Sequence, residues 1–231
     1  MSLLTKGNVA TRLLDFMPSG KRNASDFKKH FAEAGMEALV EWNTQREIDA
    51  AMQELEDALT AAMGDDIEPA SVAAVLDIVK SKRAEKELPD AAVLRVLWAS
   101  MIKTINMTGK SQSQILQAVL SSLKTYRKAL APFASSSKAE LALLVQVQVK
   151  CYEDNRMLKL FSDIVKLLYN SELVGEDTVL YWYKKGSHPK GRNVFLKDIE
   201  PFIKWLEEAS EEEEDEEEAA AAAAPAAVAP A

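Results

Sequence analysis

Apolar residues in this chain recur at three- and four-residue spacing, and that period decides the architecture. Ile48, Met52, Leu55, Leu59 and Met63 follow a 4-3-4-4 rhythm. A helix places all five side chains on one stripe, whereas a strand would send neighbours to opposite faces. The rhythm returns in Val72, Val75, Leu76 and Val79, then in Leu94, Leu97, Trp98, Met101, Ile102 and Ile105. It continues through Ile115, Leu116, Val119, Leu120 and Leu123, and through Met157, Leu158, Phe161, Ile164, Val165 and Leu168. Phe27, Phe31, Ala34 and Ala38 mark an earlier helix near 25–42.

Punctuation agrees with this period. Thr44 with Glu47, and Ser137 with Glu140, have the spacing of capping boxes, in which a hydroxyl and a carboxylate satisfy free N–H groups reciprocally. Gly64 ends one helix, Pro69 opens the next, and Pro89 stands where a first-turn proline is tolerated. "APFASSS" reads as a linker. "LVQVQVKCY" (144–152) alternates briefly, but it lies inside a capped helical window and reads as helix. Two shorter helices, near 176–185 and 193–209, are separated by "KGSHPKGRN". About nine helices with short polar connections make successive helices antiparallel neighbours, so the expected fold is an all-α solenoid of helix pairs. With 8 Gly, 8 Pro and 7% aromatics, a turn-rich β-sandwich is disfavoured. The stripe at 48–63 spans about two heptads and no basic region precedes it, which argues against a leucine zipper and against direct DNA binding.

The net charge of −8 is unevenly placed. Ten of the 36 acids lie in residues 207–231, where there is no base; the 26 that remain face 28 bases, leaving a body of +2. Such a tail repels nucleic acid and membrane surfaces and attracts lysine-rich partners. No apolar run approaches the roughly 20 residues of a membrane span, and no secretory pattern opens the chain. A single cysteine excludes a disulfide framework within the chain and any multi-cysteine zinc site. These features point to a soluble, cytoplasmic protein.

Signs of catalysis are absent from the pattern. His30 and His188 are far apart and belong to no metal-binding spacing. Cys151 lies among Leu143, Val147 and Val149 with no base nominated beside it, as a buried inert thiol would. No glycine-rich nucleotide cradle occurs, and the carboxylate pairs on helix faces read as solvated charge. Neither an enzymatic activity nor a cofactor or metal is expected.

The C-terminal third is more informative. "SELVGEDTVLYWYKKG" (171–186) sets Glu172, Glu176 and Asp177 ahead of Tyr181, Trp182 and Tyr183. "FLKDIEPFIKWLEEASEEEEDEEE" (195–218) sets Asp198 and Glu200 ahead of Phe202 and Trp205, and Glu207, Glu208 and the acidic run behind them. Twice, carboxylates flank an aromatic cluster near the chain end. In one reading the aromatics close the core of a terminal helix pair and the acids are solvated. In the other, the segments form a site for an extended lysine-rich peptide, whose ammonium heads meet carboxylates while its stems lie on aromatic faces. Lys184, Lys185, Lys190 and Arg192, in the intervening loop, are either solvated or a second contact patch for an acidic partner or RNA.

Three stretches, "AEKELPDAAVLRVLWASMIKTI", "YRKALAPFASSSKAELALLVQVQVKCYED" and "VLYWYKKGSHPKGRNVFLKDIEPFIKWLEEA", resemble the W2 domain, a HEAT-type helical module at the C-terminus of several eukaryotic translation factors. The likeness covers roughly 68–215. "NASDFKKHFAEAGM" extends it, back to about residue 23, toward the basic leucine zipper and W2 domain proteins, the initiation factor 5 mimics. The resemblance implies a translation regulator that binds lysine-rich segments of the initiation factor 2 β subunit and also initiation factor 3. It would compete there with initiation factor 5, restraining initiation and tightening start-codon choice. It places partner binding on Glu172, Glu176, Asp177, Tyr181 and Trp182 for the first acidic–aromatic box. The second box is Asp198, Glu200, Phe202, Trp205, Glu207 and Glu208.

Two alternatives are the W2 domain of initiation factor 5 itself and that of the initiation factor 2B ε subunit, which promotes nucleotide exchange. One cysteine cannot build the zinc ribbon of initiation factor 5, and the nucleotidyltransferase-like and β-helix regions of the ε subunit are missing. The mimic proteins are longer than this chain, which reads as a fragment or a short isoform. The expected organisation is a flexible segment at 1–22, a helical region at 23–67, a W2 domain at 68–209 and a disordered acidic and Ala/Pro-rich tail at 210–231.

Overall fold

The computed structural model describes residues 24–33, 35–63, 69–86 and 88–223, with the backbone alone for 24–26, 30, 69–71, 86 and 210–223. The expectations for 1–22, Ala34, Gly64 and the last eight residues lie outside this range. Nine α-helices follow one another among the described residues, and no strand occurs there. They are α1 (Ala24–Ala32), α2 (Glu37–Met63), α3 (Pro69–Lys86), α4 (Asp90–Thr104) and α5 (Gln112–Leu130). After a 3-10 turn at Ala131–Phe133 come α6 (Ser137–Glu153), α7 (Phe161–Asn170), α8 (Glu176–Tyr181) and α9 (Arg192–Ala223).

Successive helices pack in the pairs α1–α2, α2–α3, α4–α5, α6–α7 and α8–α9, and every helix from α2 to α7 also packs on the one after its successor. The contacts α2 to α4, α4 to α6 and α6 to α8 build one layer, and α3 to α5, α5 to α7 and α7 to α9 build the other. Two staggered layers of antiparallel helices make a HEAT-type α-solenoid, and the chain is all-α as its periodicity requires.

One continuous core runs from Ala51 on α2 to Leu206 on α9. The stripe residues Leu55, Leu59, Leu94, Leu97, Ile115, Val119, Leu123, Ile164 and Val165 are all buried in it, each contributing about 1.5–3 kcal/mol relative to exposure. A separate small cluster, Phe27 and Leu39 with Phe31, Met36 and Trp42 around them, joins α1 to the first half of α2.

Three helix boundaries differ from the sequence reading. The first helix does not run to 42: the chain turns at Glu33 and at Gly35, and α2 begins at Glu37. Thr44 is consequently not an N-cap. It lies inside α2 and donates its hydroxyl to the Val40 carbonyl at 3.0 Å, the bond of a mid-helix threonine, whereas an N-cap hydroxyl accepts from a backbone N–H. Leu39, buried against α1, commits the helix to begin earlier.

The cap of α6 is Ser136, whose Oγ accepts from the Ala139 N–H at 3.3 Å, rather than Ser137. Glu140 is engaged elsewhere. A capping box does occur at Ser111 and Gln114, where each side chain accepts from the other's backbone N–H, ahead of α5. The third difference is at the end: α9 continues past 209 through the acidic run to Ala223. Glu and Ala are strong helix formers, so extension of an already nucleated helix costs little.

Candidate functional site

The last turns of the solenoid hold the two acidic–aromatic segments. The α8 helix is short, and a six-residue helix does not place itself. Glu140 reaches across from α6: its Oε2 accepts from the Gly175 N–H at 2.8 Å and from the Thr178 hydroxyl at 2.7 Å. Two donors at the start of α8 are thereby satisfied by one carboxylate. Past Tyr181 the helix widens into a π-turn, Trp182–Gly186, a form that occurs mostly as single turns at functional places. Gly186 allows this: a Cβ there would stand 2.8 Å from Leu141 Cδ1 and 3.1 Å from the Tyr181 ring.

A buried amide on α6 secures the rest. Gln148 is fully enclosed. Its Nε2 donates to the His188 carbonyl at 2.7 Å and the Lys190 carbonyl at 2.8 Å. Its Oε1 accepts from the Trp182 indole N–H at 3.1 Å and the His188 N–H at 2.9 Å. All four hydrogen-bonding positions of the amide are used. Gly191 closes the loop at φ +70°, and its α-carbon faces Phe195 and Tyr152, both 2.6 Å from where a Cβ would sit.

This clamp corrects one site assignment. Trp182 does not face a partner: it is fully buried, bonded to Gln148 and packed on Phe161 with centroids 5.0 Å apart. Phe161 in turn meets Phe195 at 4.5 Å. Burial of the largest side chain of the first box against α6 and α7 is what holds that box in place.

Within the two boxes the exposed aromatics are Tyr181, at 51%, and Trp205, at 52%. Phe202 is largely buried, but its ring stacks on Trp205 with centroids 5.8 Å apart and 12° between planes. Tyr169, from α7, sets its edge against both, at 5.6 Å from Phe202 and 6.2 Å from Trp205. Lys166 lies over the Phe202 ring at 5.9 Å. Tyr169 and Lys166 complete this platform and were not nominated from the sequence. Their signal was available in part, because Tyr169 lies four residues past Val165 on the stripe of α7.

The carboxylates divide into distinct roles. Asp198 accepts from the Ser162 N–H at 3.3 Å and so caps the first turn of α7. Glu172, at φ +56°, pairs with Arg127 of α5, which also donates to the Ser171 carbonyl at 2.8 Å; this end of the first box is tied to the body rather than to the second box. Glu200 pairs with Lys204 one turn later at 3.0 Å. That hydrogen bond, followed by the charge of Glu200, raises the Lys204 ammonium above its ordinary range. Glu207 pairs with Lys184 of the π-turn at 3.3 Å, and this contact joins the two boxes. Asp177 lines a groove of about 420 Å³ with Tyr181, Leu141, Thr178, Ser137 and Lys138. Glu208 is exposed beside Lys204; Glu176 is half-buried in the first turn of α8.

The basic loop is not one open patch. Lys184 is engaged by Glu207, and Lys190 by Glu153 at 3.1 Å. Lys185 and Arg192 are exposed without an ion pair among the described residues.

No group of three or more His, Cys, Asp or Glu side chains among the described residues could hold a metal ion. Burial, followed by the nearby Asp154 charge, pushes the Cys151 thiol up to about 12, so thiolate is scarce at neutral pH. No helix among the described residues is long and apolar enough to cross a membrane.

The clamped first box and the aromatic platform lie within residues 139–216, which match the W2 family, described as eIF4-gamma/eIF5/eIF2-epsilon. Over these residues the chain is similar to W2 domains. Residues 1–53 match the 5MP1/2 HEAT domain, so the likeness reaches residue 1 rather than stopping near 23. Among curated proteins, the chain is 31% identical over 210 residues to eIF5-mimic protein 2 of Gallus gallus and of Homo sapiens. These alignments take in 90% of this chain and 49% of each relative. It is also 31% identical over 210 residues to eIF5-mimic protein 1 of Gallus gallus, covering 91% of this chain and 50% of the relative. The chain thus spans about half the length of the curated relatives it matches.

Proposed function

We propose that this protein regulates translation initiation in the cytoplasm as an interaction module, without chemistry of its own, by taking a lysine-rich segment of a partner on the surface built by α8, the π-turn and α9. The observation that carries this reading is the Trp205 indole. It is half exposed yet stacked on Phe202 and braced by Tyr169, and Glu200, Glu207 and Glu208 lie within two turns of it on the same helix. A pre-ordered aromatic face with carboxylates on the same helix suits lysine stems and heads together. The similarity to eIF5-mimic proteins supports the initiation context. On that basis the partners are the lysine-rich segments of the initiation factor 2 β subunit, and initiation factor 3, for which the chain competes with initiation factor 5 and so tightens start-codon selection.

The test is titration of the full chain with the lysine-rich N-terminal segment of the initiation factor 2 β subunit at several salt concentrations. Affinity should fall steeply as salt rises. Trp205→Ala should weaken binding about tenfold or more, in the range of a central interface aromatic, and charge reversal of Glu207 and Glu208 together should do the same. Salt-insensitive binding, or binding indifferent to both changes, refutes the reading.

A further inference from the structure

The carboxylates of α9 are partly occupied by the protein's own cations. Glu207 Oε1 stands 3.3 Å from Lys184 Nζ, and the two side chains are 45% and 59% exposed. Unlike the Glu200–Lys204 pair, which lies within one helix, this one crosses between the two boxes. The Lys184 backbone is also not free to wander. Trp182, two residues before it, is locked to Gln148, and Gly186, two residues after it, is pressed against Leu141 and Tyr181. A cation fixed to a rigid turn is presented to its carboxylate at high effective concentration.

We propose that Lys184 is a built-in competitor for the lysine-rich segment: its ammonium occupies Glu207 in the free protein, and a docking lysine must displace it. Lys184 therefore sets the affinity threshold of the surface. A single lysine cannot outcompete a tethered one, whereas a run of lysines engaging several carboxylates at once can, so the latch selects for multivalent segments over isolated lysines. Both partners of the pair are solvent-exposed, so the exchange needs no opening of the core and its energetic cost is that of one surface ion pair. This inference rests on the lysine-segment reading above.

The experiment is a double-mutant cycle read by titration with a peptide bearing a run of consecutive lysines, using the full chain throughout. Lys184→Gln should tighten binding by about two- to fivefold at low salt, the range one exposed ion pair supplies. The gain should disappear in the Glu207→Gln background, where nothing remains to be unmasked. Lys185→Gln removes the same charge from the same turn without an ion pair to break, and should give a smaller gain. Equal gains from Lys184→Gln and Lys185→Gln, or a gain that persists alongside Glu207→Gln, overturn the latch while leaving lysine-segment binding intact. Failure of the wild-type chain and of Lys184→Gln alike to bind the peptide at low salt overturns both the latch and the reading beneath it.

Discussion

Replacing Gln148 by Leu, close in volume and without polar atoms, tests whether the terminal loop is held by one side chain. Four hydrogen bonds are lost at once: those to the Trp182 indole, to the His188 N–H, and to the carbonyls of His188 and Lys190. They do not count equally. The Trp182 indole is fully buried and has no water to turn to, so its unsatisfied N–H costs about 1–3 kcal/mol. His188 and Lys190 lie nearer solvent, so a small outward shift of the loop rehydrates their backbone groups, and each lost bond costs about 0.5–1.5 kcal/mol. The total is about 2.5–7.5 kcal/mol, a large part of the 5–15 kcal/mol by which a domain is stable. Urea unfolding followed by tryptophan fluorescence measures it as a lowered midpoint with little change in slope. Gln146→Leu, two residues earlier on the same helix and half-buried, is the control and should stay within about 0.5 kcal/mol of wild type. A destabilisation by Gln148→Leu below about 1 kcal/mol would refute the clamp.

Two further outcomes follow from the same region. Cys151, with its thiol pushed up to about 12 by burial, should resist a thiol reagent at pH 8 in the folded chain and react on unfolding. Its folded-state value lies above the unfolded one, so the neutral thiol's contribution is whole below the unfolded value of about 9 and is lost as pH rises from there toward about 12. Alkaline denaturation of Cys151→Ala should show a shallower decline across that window. Gly191→Ala combines φ +70° with a Cβ 2.6 Å from both Phe195 and Tyr152. It should lower stability by about 2 kcal/mol or more, read as a drop in melting temperature; an unchanged melting temperature would show that the loop relaxes freely.

Helical architecture was legible in this chain because it is a local property. A 3.6-residue period records which side of each segment is buried, and short polar connections leave few ways to stack successive segments, so the stripes from Ile48 to Leu168 determined an all-α solenoid unaided. The same locality explains the misplaced caps: Thr44 carries the signature of an N-cap, and only packing of Leu39 on α1 makes it a mid-helix residue. The pairing of acids with aromatics near the chain end was also written in the sequence, but which aromatics look outward was not. Trp182 and Trp205 sit in similar company, yet one is buried against Phe161 and bonded to Gln148 while the other lies half in solvent. That difference, the anchoring of α8 by Glu140 across 35 residues, and the meeting of Lys184 with Glu207 depend on contacts between helices distant in sequence. Periodicity tells each helix which face to bury; only the assembled layers decide what that face meets, and hence which charges and rings remain for a partner.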